Sequence, residues 1–320
     1  MIALMAVVVG LGFWLQSRSL PAPELVKEEQ PERAEKPKKP QVRRVPQEEF
    51  VDDESPRISY ERHPEIVPYA SRPCLALIID DWGYDRPVAA SFLDMGIPLT
   101  AAILPHLPKT EEYAQRAKEA GFEVFVHLPM EPVGDYKEDA TGMITTNMSG
   151  TEIRSQVQAA IAAVPGAVGI NNHMGSKASA DQRVMQIVLS QVREAGLIFV
   201  DSRTSSTSCA YDMAQSMGLA ALANSNFIDG RADVSYIKDR LLLAARTAKR
   251  DGYAVAIGHV RPMTVRAITA ALPEIERMGV QLVRISELFE KKAAADGYPW
   301  VSRATIREDG EAFLQAEHEE

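Results

Sequence analysis

Two adjacent carboxylates and three histidines are the residues of this chain whose types and spacing suggest chemistry. Asp80 and Asp81 stand directly after the apolar run LALII, and His127, His173 and His259 each follow an apolar segment of their own. Neighbouring carboxylates repel each other, and a bound cation or a shared proton relieves that repulsion. Taken singly, each residue has an ordinary structural explanation, since an aspartate can cap a helix and a histidine can pair with a nearby acid.

Taken together, these five residues are suited to metal-assisted hydrolysis. One aspartate and two histidines suit zinc or a similar divalent ion, with positions left open for water and substrate. The remaining carboxylate and histidine supply a general base and a general acid. This interpretation requires the five residues to meet in space, which depends on the strands and helices that carry them.

A repeated unit runs through the chain from position 74 onward, in which a helix-like segment ends in glycine and a short apolar strand follows. Glycine at that point is typical of the left-handed residue that ends a helix. The units end at Gly96, Gly121, Gly196, Gly218, Gly252 and Gly279. The amphipathic helices predicted between the strands are Thr110–Ala120, Thr151–Val164, Ala180–Ala195, Val234–Arg250 and Thr264–Met278. With Leu75–Asp80 and Ala167–Asn171, the pattern predicts eight strands.

The alternation of strands and helices predicts an α/β fold with a parallel sheet. So many units favour a deformed (β/α) barrel of seven or eight parallel strands over the alternative, a doubly wound open sheet. The carboxyl ends of the strands in such a barrel meet at one rim. The polar residues predicted at that rim are Asp80, Asp81, His127, Glu131, Asn171, Asn172, His173, Asp201, Arg203 and His259.

The chain divides into four segments by composition. Residues 1–15 are almost continuously apolar and fit a signal peptide or a short membrane anchor. Residues 16–71 are rich in proline and in charges of both signs, which is typical of a disordered tether. The barrel is expected over 72–293, and 294–320 form a charged tail. We therefore expect an exported protein of the periplasm or cell envelope, in contact with the inner membrane through its amino terminus.

The charge balance and the cysteine count exclude some classes of function. The formal net charge is −9 and the sequence pI is near 5.3, which argues against nucleic acid as a partner. Two cysteines, Cys74 and Cys209, are too few for a disulfide framework or a cysteine-based zinc site. Free, packed thiols are the favoured state, and a single bridge between them is the alternative.

Five motifs, in this order and spacing, resemble those of the divergent polysaccharide deacetylases, relatives of the NodB-type carbohydrate esterases. They are IIDDWG, HLPMEP, NNHMGS, FVDSRT and AIGH, and the resemblance covers residues 75–288. It implies a NodB-like barrel with a divalent metal, zinc above all. It also implies a polysaccharide substrate, an N-acetylated glycan of the cell envelope from which acetyl groups are removed.

The resemblance assigns roles to four catalytic positions. Asp80 resembles the family's catalytic base, and His259 resembles the histidine that protonates the leaving amine. Asp201 and Arg203 occupy the place of the motif that orients the catalytic groups. These are the predicted catalytic residues.

The predicted metal ligands are less complete. Asp81 resembles the metal-binding aspartate and His127 the first metal histidine. Ordinary members carry a second metal histidine four residues later, where this chain has Glu131. Either Glu131 or His173 therefore completes the set, and His173 is favoured because imidazole suits zinc. The residues predicted to contact substrate are Glu131, Asn172 and Trp82.

Two other functions fit the same sequence. A tethered, non-catalytic glycan-binding or envelope-assembly factor would retain the barrel, and the altered metal motif favours this alternative. A hydrolase for some other amide or ester would share the site and differ only in its substrate.

Overall fold

The computed structural model describes residues 72–134 and 141–289. The predicted signal or anchor segment, tether and charged tail lie outside the described residues, so their assignments stay predictions. Within the described ranges, no helix is both long enough and apolar enough to cross a membrane.

The described residues form strands that alternate with helices. The strands are β1 (Cys74–Trp82), β2 (Thr100–Ile103), β3 (Glu123–Met130), β4 (Gly169–Met174), β5 (Ile198–Asp201), β6 (Ala221–Ala223), β7 (Asn226–Phe227), β8 (Tyr253–His259) and β9 (Gln281–Val283). The helices are α1 (Ala89–Leu93), α2 (Thr110–Glu119), α3 (Gly150–Ala163), α4 (Gln182–Glu194), α5 (Ala210–Ser216), α6 (Val234–Asp251) and α7 (Pro262–Arg277). A 3-10 turn covers Ala178–Ala180, and residues 285–289 are helical.

The eight predicted strands all form, and β7 is an additional short one. All pairings between the strands are parallel, in the order β6-β5-β4-β3-β2-β1-β8-β7. β1 is central, since β8 pairs along one edge, while β9 and β2 share the other edge. The predicted helix-ending glycines have φ between 63° and 85°, as a left-handed stop requires.

A single stretch of chain, residues 221–227, lies between the two ends of the curled sheet. β6 pairs with β5, and β7 pairs with β8. Between them, Asn224 N donates to Asp201 O at 2.9 Å, and Ser225 N donates to Val255 O at 2.8 Å. The predicted deformed (β/α) barrel is confirmed, and the open, doubly wound alternative is wrong.

The alternation of side chains along β1 divides the apolar core into two layers. Leu75, Leu77 and Ile79 belong to the large cluster that includes the buried faces of the helices. Ala76 and Ile78 belong to a smaller cluster made largely by other strands, in the barrel interior. Both cysteines are free thiols, as predicted. The strands that carry the polar rim are therefore packed on both faces.

Candidate metal centre and catalytic residues

The predicted convergence at the rim is present in the structure. Asp80 lies opposite His259 in the β1–β8 ladder. In the β3–β4 ladder, His127 lies opposite Asn171, and His173 is two residues further along β4. Because neighbouring parallel strands end at the same rim, residues far apart in the sequence share one site.

A distortion of β1 lets both adjacent carboxylates reach that site. Successive side chains of a regular strand point to opposite faces, so Asp80 and Asp81 would diverge. Asp81 has φ 65°, a left-handed conformation that is strained for a residue other than glycine, and the β1–β2 register shifts between Ile79 and Trp82. As a result, Asp80 Oδ2 and Asp81 Oδ1 each lie 3.6 Å from His127 Nε2.

Asp81, His127 and His173 form a group that could hold a metal ion. Asp81 Oδ1 is 3.6 Å from His127 Nε2 and 3.3 Å from His173 Nδ1, and the two nitrogens are 3.1 Å apart. Asp81 Oδ1 is buried and accepts no hydrogen bond, although both imidazoles are close. A buried anionic oxygen without a hydrogen bond is the group that a cation would satisfy.

The three separations also match the edges of a tetrahedral site. Ligand bonds of about 2.0–2.1 Å to zinc place tetrahedral ligand atoms about 3.3–3.4 Å apart. Octahedral coordination at about 2.1 Å, the preference of magnesium, would require separations of about 3.0 Å. The observed values of 3.1, 3.3 and 3.6 Å average about 3.3 Å, the tetrahedral edge, and only the shortest of them is nearer to the octahedral value. The donor set therefore fits a divalent ion such as zinc.

Asn171 holds two of the functional side chains in place. His127 Nδ1 donates to Asn171 Oδ1 at 3.0 Å, which puts the proton on Nδ1 and leaves the Nε2 lone pair facing Asp81. Asn171 Nδ2 donates to Asp80 Oδ1 at 2.9 Å and to Ser202 Oγ at 3.3 Å. Asn171 was predicted at the rim without a role of its own. Its spacing of two residues from His173 on a strand was the available signal, because such residues share a face.

His259 is oriented by Asp229, a second residue that the sequence analysis missed. His259 Nδ1 donates to Asp229 Oδ1 at 2.8 Å, and His259 N donates to Asp229 Oδ2 at 2.8 Å. Thr264 Oγ1 donates to the same carboxylate at 2.7 Å. This arrangement leaves Nε2 of His259 as the ring nitrogen that can exchange a proton with a ligand.

The environment shifts the pKa values of the two neighbouring aspartates in opposite directions. Burial raises the pKa of Asp80, and the charges of His127 and His259 only partly oppose this effect. Burial also disfavours the ionised form of Asp81, but His127 and His173 prevail and hold its pKa far below the usual range. Asp81 is therefore suited to bind a cation, and Asp80 is suited to accept a proton.

The pKa values of His127 and His259 are both raised. Burial disfavours the imidazolium form of His127, but the carboxylates of Asp80 and Asp81 outweigh it and raise the pKa. Burial likewise acts against a charged His259, and the hydrogen bond and charge of Asp229 outweigh it, so the pKa of His259 is also raised. A raised pKa keeps His259 protonated at a higher pH, as a general acid requires.

Glu131 is engaged away from the metal-ligand group. Its carboxylate accepts hydrogen bonds from Thr146 N and Oγ1, both at 2.7 Å, and pairs with Lys177 Nζ at 2.7 Å. These contacts tie the loop after β3 to the loop after β4. Of the two ligand sets left open by the sequence, the geometry favours the one completed by His173.

Asp201 and Arg203 form contacts within their own loop. Asp201 Oδ1 accepts from Arg203 N at 2.8 Å, and Oδ2 accepts from Ser208 Oγ at 2.9 Å. The guanidinium of Arg203 lies over the ring of Tyr211, with Cζ 5.5 Å from its centroid. None of these contacts reaches Asp80 or the histidines, so the predicted orienting role of this pair stays a prediction. In the structure, Asn171 and Asp229 make the orienting contacts.

Trp82 and Asn172 are buried, and their predicted contact with substrate stays a prediction. Trp82 is 1 % exposed and packs edge-on against Phe92 and Tyr113 in the core. The register shift at Asp81 sets the face on which Trp82 lies, and that face is toward the helices. The amide of Asn172 is occupied by Met174 O at 2.7 Å and by the backbone N–H of Ser202 at 2.9 Å.

Comparisons with known proteins agree with this fold. Residues 77–289 match the family model described as divergent polysaccharide deacetylase. An uncharacterized protein of Haemophilus influenzae is 32% identical over 227 residues, which are 71% of this chain and 80% of that protein. The uncharacterized protein YibQ of Escherichia coli is 34% identical over 217 residues, 68% of this chain and 67% of YibQ. The crystal structure of uncharacterized protein ATU2773 from Agrobacterium tumefaciens covers 69% of this chain and 90% of that chain, with a TM-score of 0.65 and 19% identity.

Proposed function

Because the chain belongs to the divergent polysaccharide deacetylase family, we propose that it is a metal-dependent hydrolase of an N-acetylated polysaccharide in the cell envelope. The observation that carries the proposal is the buried, unbonded Asp81 Oδ1 facing two imidazole nitrogens, beside a separate carboxylate and histidine. A structural cluster would satisfy that oxygen with a hydrogen bond. A metal centre with its own general base and general acid explains why these five side chains converge: Asp80, Asp81, His127, His173 and His259.

We propose zinc as the metal, held by Asp81, His127 and His173. Two imidazoles and one carboxylate are ligands that zinc accepts in catalytic sites, and three protein ligands leave a position for water or substrate. When bound, the ion polarises an amide carbonyl and lowers the pKa of water. Asn171 fixes the tautomer of His127 that presents Nε2 to it.

Asp80 and His259 each perform one of the two proton transfers of amide hydrolysis. Asp80, with its raised pKa, accepts the proton of the attacking water as the new C–O bond forms. His259, held by Asp229, donates a proton to the nitrogen as the C–N bond breaks. The products are acetate and a free amine on the sugar. Asp80 and His259 are opposite each other in the β1–β8 ladder, so base and acid are on adjacent strands.

We further propose that the protein acts in the periplasm, tethered to the inner membrane by its amino-terminal segment. The apolar run at 1–15 and the proline- and charge-rich run at 16–71 support this placement. A tether of this kind would keep the barrel close to the membrane while its rim reaches an envelope glycan.

Acetate release tests the proposal. The full chain is loaded with zinc and incubated with chitin oligomers and with peptidoglycan, and the Asp80→Asn variant is assayed beside it. Asparagine keeps the size of the side chain but not its basicity, so the rate should fall by about 10²–10⁴-fold while zinc content stays that of the unsubstituted chain.

Two results would contradict this function. Acetate release that survives Asp80→Asn would remove the base from the mechanism. Binding of a glycan by the zinc-loaded chain without release of acetate from any substrate would favour the non-catalytic glycan-binding factor.

A further inference from the structure

Four arginines stand on four neighbouring loops of the rim that carries the metal centre. Arg86 follows β1, Arg203 follows β5, Arg231 follows β7 and Arg261 follows β8. Around the barrel these strands are contiguous, because β8 pairs with β1 and with β7, and the stretch 221–227 joins β7 to β5 through β6. We call these four residues the arginine arc. It covers one side of the rim, next to His259.

The arginines of the arc are held in position by aromatic rings and backbone carbonyls. The Cζ atoms of Arg86, Arg203 and Arg231 lie 5.0, 5.5 and 5.1 Å from the ring centroids of Tyr84, Tyr211 and Tyr236 respectively. Stacking on a ring covers one face of the guanidinium and leaves its N–H edge available for an anion. Three such stacks on three separate loops of one rim indicate side chains fixed in advance of binding.

Two arginines of the arc lie beside the proposed general acid. Arg86 Nη1 donates to Val260 O at 3.1 Å, next to His259 in the chain. Arg261 Nη1 donates to Asp229 O at 3.1 Å and is 3.9 Å from Asp229 Oδ1. A ligand that reached His259 would therefore meet guanidinium groups on adjacent loops.

Within residues 72–134 and 141–289, Arg86, Arg203 and Arg231 form no ion pair with a carboxylate. Arginines elsewhere on the surface do so, as in Arg250 with Asp251 at 2.6 Å and Arg284 with Glu287 at 2.6 Å. Three acids on the same loops have partners of their own: Asp201 accepts from Arg203 N and Ser208, Asp229 from His259, and Asp233 from Tyr236 N. Among the described residues, three of the four arginines of the arc thus present guanidinium edges without a carboxylate partner, on a chain of net charge −9.

We propose that the arginine arc binds anionic groups on the polysaccharide, so that the substrate is an acidic glycan rather than a neutral one. A guanidinium group can form bidentate hydrogen bonds with a carboxylate or a phosphate, and both anions are found on acidic sugars. A chain of net negative charge repels such a polymer at long range, so its capture requires positive groups at the site itself. This inference rests on the proposed function for the identity of the polymer, but it concerns binding and not turnover.

The test compares the binding of three short N-acetylated oligomers of equal length, one neutral, one with carboxylates and one with phosphates. Binding to the full chain is measured by calorimetry in the Asp80→Asn background, so that no ligand is consumed. The acidic oligomers should bind at least about tenfold more tightly than the neutral one at low ionic strength, and added salt should reduce the difference. Whichever of the two acidic oligomers binds more tightly identifies carboxylate or phosphate as the group that the arc recognises.

Arg203→Gln combined with Arg231→Gln removes two exposed charges and leaves the two arginines beside His259 in place. Each exposed ion pair contributes up to about fivefold in affinity, so the double variant should weaken acidic-oligomer binding by about tenfold and should weaken neutral-oligomer binding by much less. The matched control is Arg193→Gln with Arg277→Gln, which removes the same charge from the last turns of α4 and α7. Those helix ends face the opposite rim.

Three results would overturn the inference: equal affinity for neutral and acidic oligomers, equal weakening in the control variant, or arginine-dependent binding to anionic phospholipid vesicles with no preference for acidic oligomers. None of them depends on acetate release. A chain that prefers acidic oligomers through the arc but releases no acetate would retain this inference and lose the proposed hydrolysis.

Discussion

Replacing Asn171 by alanine should weaken zinc binding, although Asn171 is not a ligand. The side chain joins His127, Asp80 and Ser202 through hydrogen bonds of 3.0, 2.9 and 3.3 Å. Without its Oδ1, the imidazole of His127 can carry its proton on Nε2, the nitrogen that the metal requires. The affinity for zinc should therefore fall by about 10- to 100-fold, the usual effect of removing a partner of a ligating histidine.

The magnitude agrees with the cost of the broken contacts. A loss of 10- to 100-fold corresponds to about 1.4–2.7 kcal/mol. A buried donor or acceptor left without a partner costs about 1–3 kcal/mol. Asn171 is fully buried, and the substitution strands a donor on His127 and an acceptor on Asp80. The donor on His127 that loses its partner accounts for the expected loss of zinc affinity. The acceptor on Asp80 that loses its partner should lower the free energy of unfolding of the zinc-free protein by about 1–3 kcal/mol.

The assay is competition for zinc against a chromogenic chelator, with chemical unfolding of the zinc-free protein measured in parallel. Asn224→Ala is the matched control, because Asn224 is also buried near the rim and hydrogen-bonds to Ser202 O and Asn226 N. It should lower stability and leave the affinity for zinc unchanged. A role of Asn171 in positioning His127 for zinc is refuted if Asn171→Ala binds zinc as tightly as the unsubstituted chain. It is also refuted if both variants lose affinity for zinc equally.

Three further predictions concern the acid, the loop anchor and the core. Asp229→Asn removes the charge that raises the pKa of His259, so the alkaline limb of kcat/KM should move to lower pH; an unchanged pH profile of acetate release would contradict this role. Glu131→Gln should lower stability by about 1–2 kcal/mol without changing zinc content, whereas a metal ligand would lose zinc. Gly169→Ala should destabilise the barrel by about 1–3 kcal/mol in denaturant unfolding, because a Cβ there would lie 2.3 Å from the Phe125 ring.

The sequence was sufficient to predict the barrel and most of the polar residues at its rim. Helix-stopping glycines and short apolar runs are local signals, and the rim follows from the rule that parallel strands end together. Asp81, His127 and His173 could therefore be assigned to one site from residues nearly a hundred positions apart. Free cysteines also followed from composition alone.

The tertiary structure decided which neighbours hold those residues. Asp229 was missed because β7 is only Asn226–Phe227, too short for a recognisable pattern; its pairing with β8 places Asp229 beside His259. Asn171 was predicted at the rim, but its role was missed because the contact with His127 exists only once β3 and β4 are in register.

The conformation of Asp81 was equally beyond the sequence. An Asp-Asp pair on a regular strand would send its side chains to opposite faces, and the sequence carries no sign of the left-handed turn that brings them together. The same turn determines that the ring of Trp82 packs in the core. Residue types and their order fixed the chemistry available at the rim. The contacts between strands, which are formed only when the whole sheet curls, determined where each side chain points, because the backbone adopts a strained conformation only when the surrounding packing compensates for it.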